Sequence, residues 1–189
     1  MDHRAEEILE FWLRDVGPEG WFTPPPGLDD DIRARFAGLW ADARAGRLDC
    51  WAVEPRGTLA LLILLDQFPR NMFRDEAGAF ASDPEARAVA KRAIEKGQDR
   101  RVPEAERSFF YLPLEHSEAG ADQARSVRLF MTVADPELLV HARAHRDVIR
   151  TFGRFPTRNA ALGRVSTPGE QAYLDEGGYA GALARARAA

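Results

Sequence analysis

The sequence predicts an all-α protein, and three observations carry that prediction. Apolar residues recur at i, i+3, i+4 and i+7 along most of the 189-residue chain, the period of helices with a buried face. Proline, glycine and short polar residues punctuate these runs where helices start and stop. No second β-branched run exists to pair as a strand with the one short apolar block. About eight helices are expected, and their short connections should make neighbours antiparallel hairpins. No tandem repeat of the tetratricopeptide period is visible.

Ala5, Ile8, Leu9, Trp12, Leu13 and Val16 form the first stripe, which Gly17-Pro18 stops. The stretch WFTPPPGL follows as a loop, because its prolines cannot lie inside a helix. Asp29, Asp30 and Asp31 crowd the next helix start, where carboxylates meet free N–H groups. Ile32, Phe36, Leu39, Trp40 and Ala43 are its apolar face, and Gly46 ends it. Residues 58–68 are apolar almost all round and predict a helix buried on most sides. Their wealth of Leu and Ala favours helix over central strand.

Ser82-Asp83-Pro84-Glu85 has capping-box spacing with proline in the first turn, opening a helix that reaches Gly97. Pro103 opens another, carrying Phe109 and Phe110, and Pro113 closes it. Beyond His116-Ser117-Glu118 the stripe is Val127, Phe130, Met131 and Ala134. Asp135-Pro136 starts a helix that runs to Phe152 and stops at Gly153. Thr167-Pro168-Gly169-Glu170 repeats the capping-box spacing before a last short helix. The tail, residues 181–189, is expected to be loosely ordered or a frayed helix.

A chain of this length is expected to form one domain, residues 1–189. Its 26 basic and 30 acidic residues are interspersed and give a net charge of −4, no footprint for nucleic acid. Cys50 is the only cysteine, so no intrachain disulfide forms and a reducing compartment is the simpler reading. The N-terminus MDHRAEEILEFW lacks the pattern of a secretory signal. The longest apolar run, residues 59–65, is too short to span a bilayer. A soluble, cytoplasmic protein with neither membrane nor nucleic-acid partner is expected. GxGxxG, Walker, CxxC and GxSxG signatures are all missing, so no cofactor is expected.

Two segments echo one another: DQFPRN at 66–71 and FGRFPTRN at 152–159. In each, proline should force the preceding residue out of the α region and end a helix, while phenylalanine plugs the loop to the core. Arg70, Asn71 and Arg74 flank the first copy; Arg154, Arg158, Asn159 and Arg164 flank the second. Guanidinium groups so placed either pair with carboxylates, for which Asp66, Asp75, Glu118, Asp122 and Asp147 are candidates, or bind an anionic ligand. Both readings stay open.

His116 beside Glu118 has the makings of an oriented acid–base pair. The plainer account is that Ser117 caps the next helix and Glu118 favours its first turn. His141 and His145 share a helix face four residues apart, half of a zinc site. No HExxH accompanies them and Arg143 lies between, so no metal is assigned. Ser166 and Thr167 look like caps, and Cys50 reads as buried and inert. Trp21-Phe22 is placed at a pocket mouth or a partner surface.

Together, LLDQFPRNMFR, RSFFYLPLEHSE, ADQARSV, HRDVIRTFGRFPTRNAALGR and STPGEQAYL resemble the DUF924 family of bacterial and fungal proteins over nearly the whole chain. The resemblance implies a tetratricopeptide-like all-α fold and no assigned activity. Its signature falls on residues 66–71 and Arg74; on His116, Ser117, Glu118 and Gln123; and on His145, Arg146, Gly153, Arg154, Phe155, Pro156, Arg158, Asn159, Gly163 and Arg164. His141 is not among these positions, and Thr157 stands where the family usually has histidine.

The functional expectation is an inter-helix pocket for a small anionic ligand. Arg70, Asn71, Arg74, Arg154, Arg158 and Asn159 would bind it, and His116, Glu118 and His145 would supply acid–base chemistry. A tetratricopeptide-like protein-interaction module without catalysis is the alternative, resting on fold analogy alone. A metal enzyme is the third and weakest reading.

Overall fold

The repeated proline segments decide how the helices are cut, and they do so differently in the two halves of the chain. The computed structural model describes residues 2–188. Contacts group them into two compact units, one of residues up to 74 with 78–110, the other of 75–77 with 111 onward. Every regular element among the described residues is helical, and counting rods joined by π turns as single helices gives nine. Among the described residues no helix is long and apolar enough to cross a membrane.

In the first unit, α1 (His3–Glu10) runs into a π-helical segment, Phe11–Val16, and α2 (Gly17–Phe22) follows directly. The expected stop at Gly17-Pro18 is therefore a bend. Gly17 takes a left-handed φ of 63°, and Pro18 sits in the first turn of α2, where a missing N–H costs nothing. Trp21 thus lies on a helix, and its indole N–H donates to the Trp12 carbonyl at 2.8 Å. The Phe22 side chain lies outside the described residues.

α3 (Leu28–Arg44) carries its acidic first turn as expected. α4 (Pro55–Leu62), a π-helical turn at Ile63–Gln67 and α5 (Phe68–Met72) form one rod. Leu59 through Leu65 are at most 1% exposed, the burial expected of a helix apolar on all sides. Phe68 is packed among the rings of Phe11, Trp12 and Phe36, with centroids 4.8–6.2 Å away.

Pro69 does not end this rod: Phe68 keeps helical angles of −59° and −37°. Proline has no N–H for the carbonyl four residues back, that of Leu65. The Ser82 hydroxyl donates to that carbonyl instead, at 2.6 Å, and accepts from the Trp40 indole at 2.9 Å. Ser82 therefore makes no side-chain cap for α6 (Asp83–Glu95), and the capping box expected there does not form. Cys50 is exposed, not buried.

The unit boundary falls after Phe110, within α7 (Ser108–Glu115). Pro113 lies inside α7 and does not close it. Burial of Phe109, Phe110, Tyr111 and Leu114, all at most 3% exposed, outweighs the one hydrogen bond it removes.

The second unit continues with α8 (Gly120–Phe130) and α9 (Pro136–Phe152), a hairpin joined by a short turn. Asp135 caps α9 by accepting from the Glu137 N–H, and Gly153 ends it in a left-handed conformation, φ 72°. The capping box of Thr167 and Glu170 opens α10 (Pro168–Asp175). α11 (Gly178–Ala188) occupies most of the expected loose tail, with Ala182 buried; Ala189 lies outside the described residues. Val148, Ile149, Phe155, Tyr173 and Ala182 form the core that α9, α10 and α11 share.

Candidate functional site

The arginines of the first echo are held inside their own unit. Arg70 donates to Asp83 at 2.7 Å and to the Ala79 carbonyl at 3.1 Å, approaches Asp66 at 3.5 Å, and lies over the Phe80 ring. Arg74 grips Asp29 through two nitrogens at 2.8 and 3.0 Å, and Asn71 adds a third bond to the same carboxylate at 2.8 Å. The Arg74 fork, with Asn71, outweighs burial and holds the Asp29 carboxyl below its usual range.

The second echo is a true helix stop, and its arginines are tied just as fully. Arg154 donates to Glu170 through two nitrogens at 2.6 and 2.8 Å and to the Val165 carbonyl at 2.9 Å. That contact, with the Thr167 N–H, brings the Glu170 carboxyl down to about 2. Asn159 donates to Ser166 at 3.0 Å, while its buried side-chain oxygen has no hydrogen-bond partner among the described residues. Arg158 donates to the His116 carbonyl at 2.8 Å and stacks over Phe155 at 4.5 Å.

Glu118, a candidate acid–base group, receives the Phe155 N–H at 2.9 Å and a bidentate Arg164 at 2.8 and 3.0 Å. Burial pushes its carboxyl up, but Arg164, the Phe155 N–H and the nearby Arg158 together outweigh that and leave it lowered. It therefore stays ionised at neutral pH and clamps the loop to the start of α8. Ser117, 1% exposed, donates to Asp122 and accepts from the Ala119 N–H, so it braces the turn ahead of α8.

A different set of groups gathers around His145. Glu115, the last residue of α7, is 3% exposed and sets Oε1 3.0 Å from His145 Nδ1. The other oxygen of Glu115 is buried with no hydrogen-bond partner among the described residues. Tyr179 of α11 brings its hydroxyl 3.2 Å from His145 Nδ1 and 2.7 Å from His141 Nδ1. His145 Nδ1 is also 3.0 Å from the His141 carbonyl. Phe155 and His116 flank the His145 ring, with centroids 5.5 and 6.1 Å away.

These contacts assign the protons. Nδ1 of His145 faces a carbonyl and a carboxylate, both acceptors, so in the neutral ring the hydrogen sits on Nδ1 and the lone pair on Nε2. Burial, reinforced by the Glu115 charge, raises the Tyr179 hydroxyl far above its usual range, so it remains a donor. Burial is also the main cause that lowers His141 and keeps its ring neutral. His141 Nδ1 therefore accepts from Tyr179, and its hydrogen sits on Nε2, 3.7 Å from Glu137.

Of the candidates read from the sequence, His116, His145, Arg158 and Glu118 come together in the second unit. Arg70, Asn71 and Arg74 belong to the first. Sequence reasoning missed Glu115 and Tyr179. A lone carboxylate closing the apolar helix SFFYLPLE was the available signal for Glu115; nothing marked Tyr179. Thr157 is exposed, beside the start of α11: a Cβ at Gly178 would lie 3.5 Å from it. A groove of about 560 Å³ among α9, α10 and α11 is lined by Val148, Phe152 and Tyr173 and by none of these candidates. Among the described residues no group of three His, Cys, Asp or Glu is placed to hold a metal ion.

Residues 8–178 match the model of a family described as bacterial protein of unknown function, DUF924. The structure of a protein of unknown function from Agrobacterium tumefaciens, ATU0120, is similar to this chain with a TM-score of 0.87 and 42% identity, covering 92% of this chain and 98% of that one. No curated protein matches.

Proposed function

Because the chain belongs to the DUF924 family, a membership that brings no activity with it, we propose from its own geometry that the second unit is an acid–base site for a small anionic molecule. The observation that supports this is the buried Glu115 carboxylate 3.0 Å from His145 Nδ1. A carboxylate on Nδ1 orients an imidazole, fixes its tautomer and stabilises the cation formed when Nε2 takes a proton. His145, with 17% of its side chain exposed, is the proton-transfer residue of this reading, and His116 is its neighbour.

Arg158 supplies the positive charge that an anionic substrate would meet, since its guanidinium lies over Phe155 and Phe155 packs against His145. Arg154 and Arg164 act one step back, by fixing the loop that carries Phe155 and Arg158. Glu118 belongs with them as a clamp. The tetratricopeptide-like character implied by the family resemblance and a cytoplasmic location belong to the same proposal.

The test is a thermal-shift screen of small carboxylates and phosphate esters against wild type, Arg158→Ala and Glu115→Gln. A ligand at 100 times its Kd adds about 2.7 kcal/mol of apparent stability. A compound that stabilises wild type and loses most of that effect in Arg158→Ala supports the anionic-ligand site. Glu115→Gln, which loses the carboxylate behind His145, should bind the same compound and fail to convert it. A hit that Arg158→Ala binds equally well, or that Glu115→Gln turns over at the wild-type rate, overturns the reading.

A further inference from the structure

His145 is reached from solvent through more than its own exposed edge. From Glu115 outward, polar contacts follow one another in a line: Glu115 Oε1 to His145 Nδ1 at 3.0 Å, His145 Nδ1 to Tyr179 Oη at 3.2 Å, and Tyr179 Oη to His141 Nδ1 at 2.7 Å. His141 Nε2 then lies 3.7 Å from Glu137 Oε1, a charge contact longer than a hydrogen bond. Side-chain exposure rises along the line, from 3% at Glu115 to 17% at His145, 24% at His141 and 46% at Glu137. Three helices contribute: α7 the inner carboxylate, α9 both histidines and α11 the tyrosine.

We infer that Tyr179 and His141 form a proton relay that connects His145 to solvent. The relay rests on the acid–base reading of His145 and goes beyond it by naming the path that resets the residue. Once His145 Nε2 has taken a proton, the ring is an imidazolium. Its Nδ1 hydrogen passes to Tyr179 Oη as the Tyr179 hydrogen passes to His141 Nδ1. His141 then releases its Nε2 hydrogen to water at the surface. One proton enters, one leaves and no electrons move. Both rings end in their other neutral tautomers, and a proton travelling inward restores them.

The electrostatics suit a conduit. A hydroxyl both accepts and donates, and burial keeps Tyr179 protonated, so the transfer passes through without a phenolate resting there. Burial of His141 disfavours its charged form, so it hands the proton on. The groups facing this line are Glu115 and Glu137, which favour the imidazolium of His141, and His145 and Arg187, which oppose it. Arg187 also holds Glu137 in its ionised form.

The experiment is long-range 1H–15N spectroscopy of the full chain with 15N-labelled histidine, measuring solvent exchange of the His145 Nδ1 hydrogen in wild type and Tyr179→Phe. The relay requires His145 protonated on Nδ1, His141 protonated on Nε2, and at least tenfold slower exchange in Tyr179→Phe. A merely structural hydroxyl predicts the opposite sign, because losing a hydrogen-bond partner bares Nδ1–H and speeds exchange. Unchanged or faster exchange in a folded variant overturns the relay, and so do the reversed tautomers. Should Tyr179→Phe fail to fold, His141→Phe cuts the same line one step further out and carries the same expectation. The acid–base reading is judged separately on Glu115→Gln in the ligand screen, so either can fail without the other.

Discussion

Phe68-Pro69-Arg70-Asn71 and Phe155-Pro156-Thr157-Arg158-Asn159 are nearly the same peptide in two different backbones. In the first unit the phenylalanine is helical and the chain runs straight through the proline, helped by a π turn and by Ser82. In the second, Gly153 has already ended α9, Phe155 is extended, and Pro156 begins a single 3-10 turn. The difference lies in what precedes the proline. In the first copy a neighbouring element brings a donor to the carbonyl that proline leaves, and the rod continues; in the second, Gly153 has turned the chain before the proline is reached. The arginines do the same work in both copies: they hold a neighbouring segment by its carboxylates and carbonyls.

The comparison breaks first at the phenylalanines. Phe68 is fully buried among three aromatic rings, so Phe68→Ala should cost about 3–5 kcal/mol in urea unfolding. Phe155→Ala should cost less, since Phe155 is 5% exposed and packs in a smaller core, with Val148, Ile149, Tyr173 and Ala182. Equal losses would mean that the two plugs are equivalent after all.

Next comes Ser82. Ser82→Ala strands the Leu65 carbonyl and the Trp40 indole together, and about 1–3 kcal/mol should be lost. Pro69→Ala in that background restores an N–H beneath the carbonyl, and the double variant should recover part of the loss in a double-mutant cycle. Pro156→Ala, at the first position of its turn, should change little. Additive behaviour at Pro69 and Ser82 would refute the compensation.

The clamps are weaker. Arg164→Met removes two bonds to Glu118, which also holds the Phe155 N–H, and should cost about 1–2 kcal/mol by chemical denaturation. The smallest effect is a pH dependence. Glu170 is lowered from its ordinary 4.5 to about 2 by Arg154, so its contribution is present above the unfolded value. That contribution is lost as pH falls from about 4.5 toward 2. Unfolding curves of Arg154→Met should be flatter across that window than those of wild type.

Much of this architecture was legible in the chain. Periodicity gave the buried rod at residues 58–68, and cap chemistry gave the starts at Asp135 and Thr167 and the stop at Gly153. What failed was proline taken alone. Pro18, Pro69 and Pro113 all sit within helical runs, because the cost of a proline depends on donors and burial that come from elsewhere in the sequence. Ser82 failed for the same reason: a hydroxyl ahead of Asp-Pro-Glu looks like a cap until another carbonyl claims it. The site was legible in part, because His116, His145 and Arg158 stand in distinctive motifs. Tyr179 lies 34 residues from the His145 it touches, in a Gly-Ala-rich tail with no pattern to flag it. Glu115 carries no motif of its own; its one signal is that it closes an otherwise apolar helix.

The Ser82 hydroxyl beneath Leu65 also governs how the first unit comes apart. The second half of the α4–α5 rod is secondary structure with a tertiary precondition: its hydrogen bonding closes only once the start of α6 has docked. Residues 73–81 are the loop whose closure must come first, an entropic toll charged before the helix is whole. Phe68–Met72 should therefore open and close in step with α6, not with α4, to which it is continuous in space. In native-state hydrogen exchange, the cooperative boundary would then fall inside the rod, at the π turn.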